Sequence, residues 1–172
     1  VPRLWERHFF RLKEGCDRLG ITCPDTTELK ASIDALEIKQ DKVVLKVIVT
    51  AGSASQGYAR ADNVSNVMLQ LNDWPTSALY NIHNHPVRVT VSSVQLAKQP
   101  LLAGMKHLNR LEQVLAKRAL PGEFDEAIVL DTDGNVIECI SANIFLQLND
   151  QWLTPKLDEA GIAGTMRSEV IA

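Results

Sequence analysis

Trp5, Phe9, Leu12, Cys16 and Leu19 recur at spacings of four, three, four and three along the first twenty residues, and Gly20 follows them. That period belongs to a helix with one apolar side, running from about Leu4 to Leu19 and closed by the glycine. Such a helix must bury its stripe against another element, and the residues after Gly20 supply several. Asp25 with Glu28 forms an N-cap signature for a second helix through Leu29, Ile33 and Leu36. Lys42 to Thr50 is rich in Val and Ile, as a buried strand is, and Asn66 to Asn72 alternates well enough to be its neighbour across the Gly52 to Tyr58 loop. Asn72 to Pro86 holds Pro75, Pro86 and several Asn with little periodicity, which reads as a linker. Beyond it, Val87 to Ser93 begins a strand, and the helix after Lys106 places Leu108, Leu111, Val114 and Leu115 on one packing face. Asp133-Gly134 makes a hairpin turn between two apolar runs, and Asn143 to Leu148 is a further strand. The expected fold class is α+β, as two α/β subdomains: 1–73, a linker over 74–86, and a larger domain over 87–172.

Composition narrows the partners. Of the 172 residues, 45% are apolar, enough for a real core, and 18 basic side chains face 21 acidic ones for a net charge of −3. The basic residues are dispersed, so neither nucleic acid nor a membrane surface is an expected partner. No apolar run reaches the roughly 20 residues of a membrane span, and Val1-Pro2-Arg3 opens no secretory signal. The expected compartment is the cytoplasm. Cys16, Cys23 and Cys139 are odd in number and scattered, which reads as three buried thiols rather than a disulfide framework or zinc site. His83 and His85 form a His-x-His pair without a third ligand nearby, read as solvated histidines, so no metal is expected.

Four places carry candidate chemistry. Lys106 follows the small pair Ala103-Gly104 and precedes the third helix, a setting that suits a reactive amine and equally a solvated charge. Glu138 lies in the apolar run Val136-Ile137-Glu138-Cys139-Ile140, where burial is costly without a cationic partner, unless it points to water from an edge strand. Arg11, in His8-Phe9-Phe10-Arg11-Leu12, borders the first helix's stripe as an anion ligand or a flank charge. Gly164-Thr165-Met166-Arg167 enters a last helix.

The wording of these segments resembles one family. Lys106-His107-Leu108-Asn109-Arg110-Leu111-Glu112-Gln113 is similar to the segment around the cofactor lysine of 4-amino-4-deoxychorismate lyases, members of the fold-type IV pyridoxal-phosphate enzymes that include branched-chain and D-amino-acid transaminases. Glu138 with Asn143-Ile144-Phe145 matches the family's Glu-x-x-x-x-Asn-Leu/Ile-Phe, His8 to Leu12 its His-x-x-Arg-Leu, and Gly164 to Arg167 its Gly-Ile-x-Arg. The resemblance implies pyridoxal 5'-phosphate as cofactor, with Lys106 as the lysine that carries it and acts as base. Glu138 would face the pyridine nitrogen, and Arg11 with Gly164, Thr165 and Met166 would hold the phosphate, the last two mainly through main-chain N–H groups. It further implies a lyase that turns 4-amino-4-deoxychorismate into 4-aminobenzoate and pyruvate for folate synthesis, working as a homodimer. Gln56 stands where the family's glycine-rich loop often has arginine, which leaves an anion-binding role of that loop in doubt. The family's N-terminal hairpin with an Asp-Gly-x-Phe motif and its C-terminal portion have no counterpart, so the chain reads as the middle of a longer enzyme. A transaminase would use the same cofactor residues, and a non-catalytic fragment or binding domain stays open as a third reading.

Overall fold

The computed structural model describes residues 2–54, 56–59, 64–75 and 86–172. His83, His85 and most of the expected linker lie outside the described residues. The chain divides into two compact units, Val1–Pro75 and Thr76–Ala172.

In the first unit, α1 (Trp5–Leu19) stacks Trp5 against Phe9 with ring centroids 5.9 Å apart and buries Cys16. Gly20 ends the helix at φ +61°, its N–H donating to the Asp17 carbonyl, a left-handed cap that glycine adopts without a Cβ penalty. Asp25 caps α2 (Thr26–Asp34) as expected, accepting from the N–H groups of Thr27 at 2.8 Å and Glu28 at 3.1 Å, while Leu29 and Ile33 face inward. The Val/Ile run forms β1 (Val43–Thr50), antiparallel to β2 (Asn66–Asp73) in unbroken register from Val43↔Asp73 to Thr50↔Asn66, but the strand is half-buried to exposed rather than buried as expected.

In the second unit, β3 (Val89–Val91) runs parallel to β4 (Glu126–Leu130), which pairs antiparallel with β5 (Val136–Cys139). Their crossover contains α3 (Leu111–Ala119), as a parallel pair requires. The core gathers Leu96, Val129, Ile137 and Ala160, with Ile140 and Leu157 packed on it. Gly134, at φ +85°, makes the expected turn between β4 and β5, and buried Asp131 ties that turn by accepting from Asp133 and Asn135. A second hairpin, β6 (Leu146–Leu148) to β7 (Gln151–Leu153), turns through Asn149 and Asp150, both at positive φ as its two-residue turn needs. The chain closes on α4 (Thr165–Ile171).

Other expectations change. The third helix starts at Leu111, not just after Lys106, because the preceding residues are held in loop geometry and Arg110 sits at φ −130°. Its buried side is Gln113 and Ala116, whereas Leu108, Leu111, Val114 and Leu115 are each at least 50% exposed. A small alanine lets the helix approach β4, and a glutamine serves a polar neighbour there, so the spacing of the leucines did not choose the face. The strand expected from Asn143 begins only at Leu146, since the Asn143 side chain is bonded to another loop. Of the thiols, Cys16 is buried and Cys23 and Cys139 are half-buried.

Candidate functional site

Lys106 owes its place to Gly104. At φ +74°, Gly104 donates its N–H to the Gly161 carbonyl at 3.0 Å and accepts from Ala163 N–H at 2.8 Å, a short parallel bridge to residues 161–163. A Cβ there would stand 3.3 Å from the Leu157 carbonyl, so glycine serves both the dihedral and the close approach. Met105 is buried and its carbonyl accepts from Arg110 Nη2, which pins the backbone at the residue before the lysine. Lys106 itself is exposed.

Glu138 is 3% exposed although β5 lies at the edge of its sheet. The solvated edge-strand alternative therefore fails. Its Oε2 accepts from Ile162 N–H at 2.9 Å and its Oε1 from Gln113 Nε2 at 3.4 Å. Desolvation pushes its pKa up, against the opposing pull of the Ile162 N–H, the Arg110 guanidinium, Gln113 and Lys106. Burial in turn lowers the pKa of Arg110. Lys106 and Glu138 thus lie close enough to feel each other's charge. Buried Gln113 Oε1 and Arg110 Nε have no hydrogen-bond partner among the described residues.

The turn after Glu138 is fixed from two sides. Buried Glu126 accepts from the N–H groups of Ile140 and Ser141, both at 3.2 Å, and from the Ser141 hydroxyl. Asn143 donates through Nδ2 to the Ile162 carbonyl at 2.8 Å and accepts on Oδ1 from Gly164 N–H at 3.0 Å. Desolvation and the charges of Glu126 and Glu138 push the Cys139 thiol up to about 11, leaving it uncharged at neutral pH.

Of the expected phosphate ligands, Gly164, Thr165 and Met166 lie at the entry to α4, in the same unit as Lys106 and Glu138. The Gly164 N–H is taken by Asn143, so Thr165, which is buried, and Met166 carry the first N–H groups that no helical carbonyl can satisfy. Arg167 turns away to Thr154 and Pro155. Arg11 belongs to the other unit, half-buried on α1, and burial lowers its pKa. Glu126, Gln113 and Ile162 were not singled out from sequence. For Gln113 the signal was present, as a polar residue closing the lysine segment. For Ile162 there was none, because only its main chain takes part.

Among the described residues no group of three potential ligands forms a metal site, and no helix is long and apolar enough to cross a membrane.

Mixed strands and helices arranged in this way have the fold of the fold-type IV aminotransferases, shared with a branched-chain aminotransferase from Thermoproteus uzoniensis at a TM-score of 0.79 and 22% identity. The chain belongs to the class IV amino-transferase family, whose sequence model matches residues 1–172. It is similar to the crystal structure of 4-amino-4-deoxychorismate lyase from Pseudomonas aeruginosa, with 40% identity and a TM-score of 0.84 over 99% of this chain and 63% of that one. It is also 32% identical over 169 residues to the aminodeoxychorismate lyase of Vibrio harveyi, covering 97% of this chain and 62% of that protein. A branched-chain-amino-acid aminotransferase-like protein of Arabidopsis thaliana is 28% identical over 183 residues, covering 98% of this chain and 32% of that protein. The chain thus spans about three fifths of the two lyases it resembles.

Proposed function

We propose that this chain is the part of a pyridoxal-phosphate-dependent lyase that carries the cofactor lysine, and that the whole enzyme converts 4-amino-4-deoxychorismate to 4-aminobenzoate and pyruvate for folate synthesis. The observation that carries the reading is buried Glu138, an acid within electrostatic reach of Lys106 whose pKa desolvation raises in spite of Arg110 and Lys106. The residues fit the cofactor on that ground, since a protonated pyridine nitrogen would favour the charged form of a carboxylate that burial disfavours. Pyridoxal phosphate, when bound, supplies an electron-poor ring that stabilises negative charge on the carbon bearing the substrate nitrogen.

The protein's own groups do the rest. Lys106 would hold the cofactor, and its amine would remove the proton from that carbon. Glu138 keeps the ring nitrogen protonated, and the N–H groups of Ile162 and Gln113 keep Glu138 oriented. Thr165 and Met166 offer main-chain N–H groups to a phosphate, and the family resemblance gives Arg11 as its guanidinium ligand. Loss of the proton is followed by cleavage of the bond between the ring carbon and the ether oxygen, and the oxygen leaves with the enolpyruvyl fragment, which takes up a proton on its methylene carbon to become pyruvate. The ring that stays behind becomes aromatic, so the site supplies mainly positioning and proton transfer. Family likeness also supports a homodimer acting in the cytoplasm.

A transaminase of the same fold is the second reading, supported by the likeness to the Arabidopsis protein. The segment His107 to Gln113 and the two lyase relatives favour the lyase. The test is to incubate the full-length protein with pyridoxal phosphate, reduce with borohydride and map the labelled peptide, then to assay the two products. A single reduced-cofactor adduct on Lys106, absent in Lys106→Ala, together with 4-aminobenzoate formation, is the expected result. Release of an oxo acid from an amino acid with no 4-aminobenzoate would make it a transaminase, and an unlabelled full-length protein would favour a non-catalytic role.

A further inference from the structure

We infer that Asn143 is a positioning residue: by gripping the Ile162 carbonyl it holds Ile162 where its N–H donates to Glu138, and so favours the charged form of that carboxylate. The role in the reaction rests on reading Glu138 as the cofactor's carboxylate.

The geometry begins at the bridge between Gly104 and Ile162. In a parallel bridge the carbonyl of Gly161 and the N–H of Ala163 turn toward Gly104, which leaves both polar groups of Ile162 on the opposite edge. Two side chains five residues apart take them. Glu138 Oε2 accepts from the N–H at 2.9 Å, and Asn143 Nδ2 donates to the carbonyl at 2.8 Å. The same Asn143 amide accepts from Gly164 N–H at 3.0 Å, so it spans the loop with one donor and one acceptor. Aspartate lacks the donor, and glutamine is one methylene longer. Gly164 shows how closely the amide fits, because a Cβ on it would fall 2.1 Å from Asn143 Oδ1.

The consequence falls on Glu138. Of its two hydrogen bonds, the one from Ile162 is the short one. Around the carboxylate stand Gln113, the cations Lys106 and Arg110, and the uncharged Cys139 with Glu126 beyond it. None of the side chains replaces a main-chain donor held at fixed geometry. Without Asn143 the Ile162 peptide has one fewer restraint, its N–H bond to Glu138 weakens, and the protonated form of the acid gains.

The experiment tracks the Glu138 carboxyl carbon by NMR in the full-length, cofactor-free protein labelled at glutamate, the signal being assigned by its loss in Glu138→Gln. In Asn143→Ala the titration of Glu138 is expected to move to higher pH. If that variant fails to fold, Asn143→Ser, which keeps one hydrogen-bonding oxygen, gives the same comparison with a shift in the same direction. A titration that superimposes on wild type overturns the proposal even if the melting temperature falls, since that is what a purely structural role would do. So does an Ile162 amide that exchanges in the wild-type protein as fast as an open loop. Borohydride labelling of Lys106 in the wild type decides the cofactor reading separately, so failure of one idea does not resemble failure of the other.

Discussion

Glu138 is an acid whose burial, in the cofactor-free protein, outweighs the neighbours that favour its charged form. Desolvation holds its folded-state pKa above the ordinary value of 4.5. A group raised in this way contributes stability that is complete below the ordinary value and is lost as pH rises through the folded-state value. The cofactor-free protein is therefore expected to melt at lower temperature on passing upward through that window, and Glu138→Gln to flatten that part of the curve. Melting temperatures of both proteins between about pH 4 and 8 check this, and parallel curves would show that Glu138 is not the group responsible. A protonated pyridine ring beside it would add to the pull of Arg110 and Lys106 toward its charged form.

The lysine and the acid are brought together by loops more than by the strands and helices that flank them. Gly104, Ile162, Gly164 and Asn143 tie the segment before Lys106, the turn after β5 and the entry of α4 into one hydrogen-bonded unit. Gly161 occupies its middle at φ +81°, and a Cβ there would lie 2.7 Å from Ile137 Cγ2 and 2.9 Å from Leu157 Cδ2. Gly134 has a similar dihedral, φ +85°, with nothing within 4 Å. Gly161→Ala is thus expected to cost about 2–4 kcal/mol, from backbone strain and overpacking together, and Gly134→Ala about 1–2 kcal/mol from strain alone. Denaturant melts of the two variants measure the difference, and equal losses would mean that the tight packing around Gly161 relaxes freely.

Across the whole chain, a good deal of large apolar surface faces outward. In α3 it is Leu111, Val114 and Leu115, and in β2 it is Val67, Met68 and Leu71. Such faces attract dyes and other chains. The double substitution Val114→Glu and Leu115→Lys is expected to reduce dye binding by the 172-residue chain while changing its stability by no more than about 0.5 kcal/mol per site, because neither side chain is in the core. A large loss of stability would show that this side of α3 is packed in solution.

Local rules were enough to read much of this molecule. The caps at Gly20 and Asp25, the Val/Ile strand and the turn at Gly134 depend on neighbours a few residues away, so spacing and residue type reveal them. The candidate residues Lys106 and Glu138 are visible for a different reason, because the segments around them resemble those of a known family; residue type and spacing alone leave each of them open as a solvated charge. Which side of α3 would be buried was not visible, because Leu111, Val114 and Leu115 make a better apolar stripe than Gln113 and Ala116 do. That choice belongs to the packing of α3 on β4, where Ala116 is buried, and to Glu138, which accepts from the Gln113 amide. Nor could any spacing rule join Asn143 to Ile162 across nineteen residues. Contacts of that kind exist only once the chain has closed the loops between them, and the acidity of a buried carboxylate depends on just those contacts.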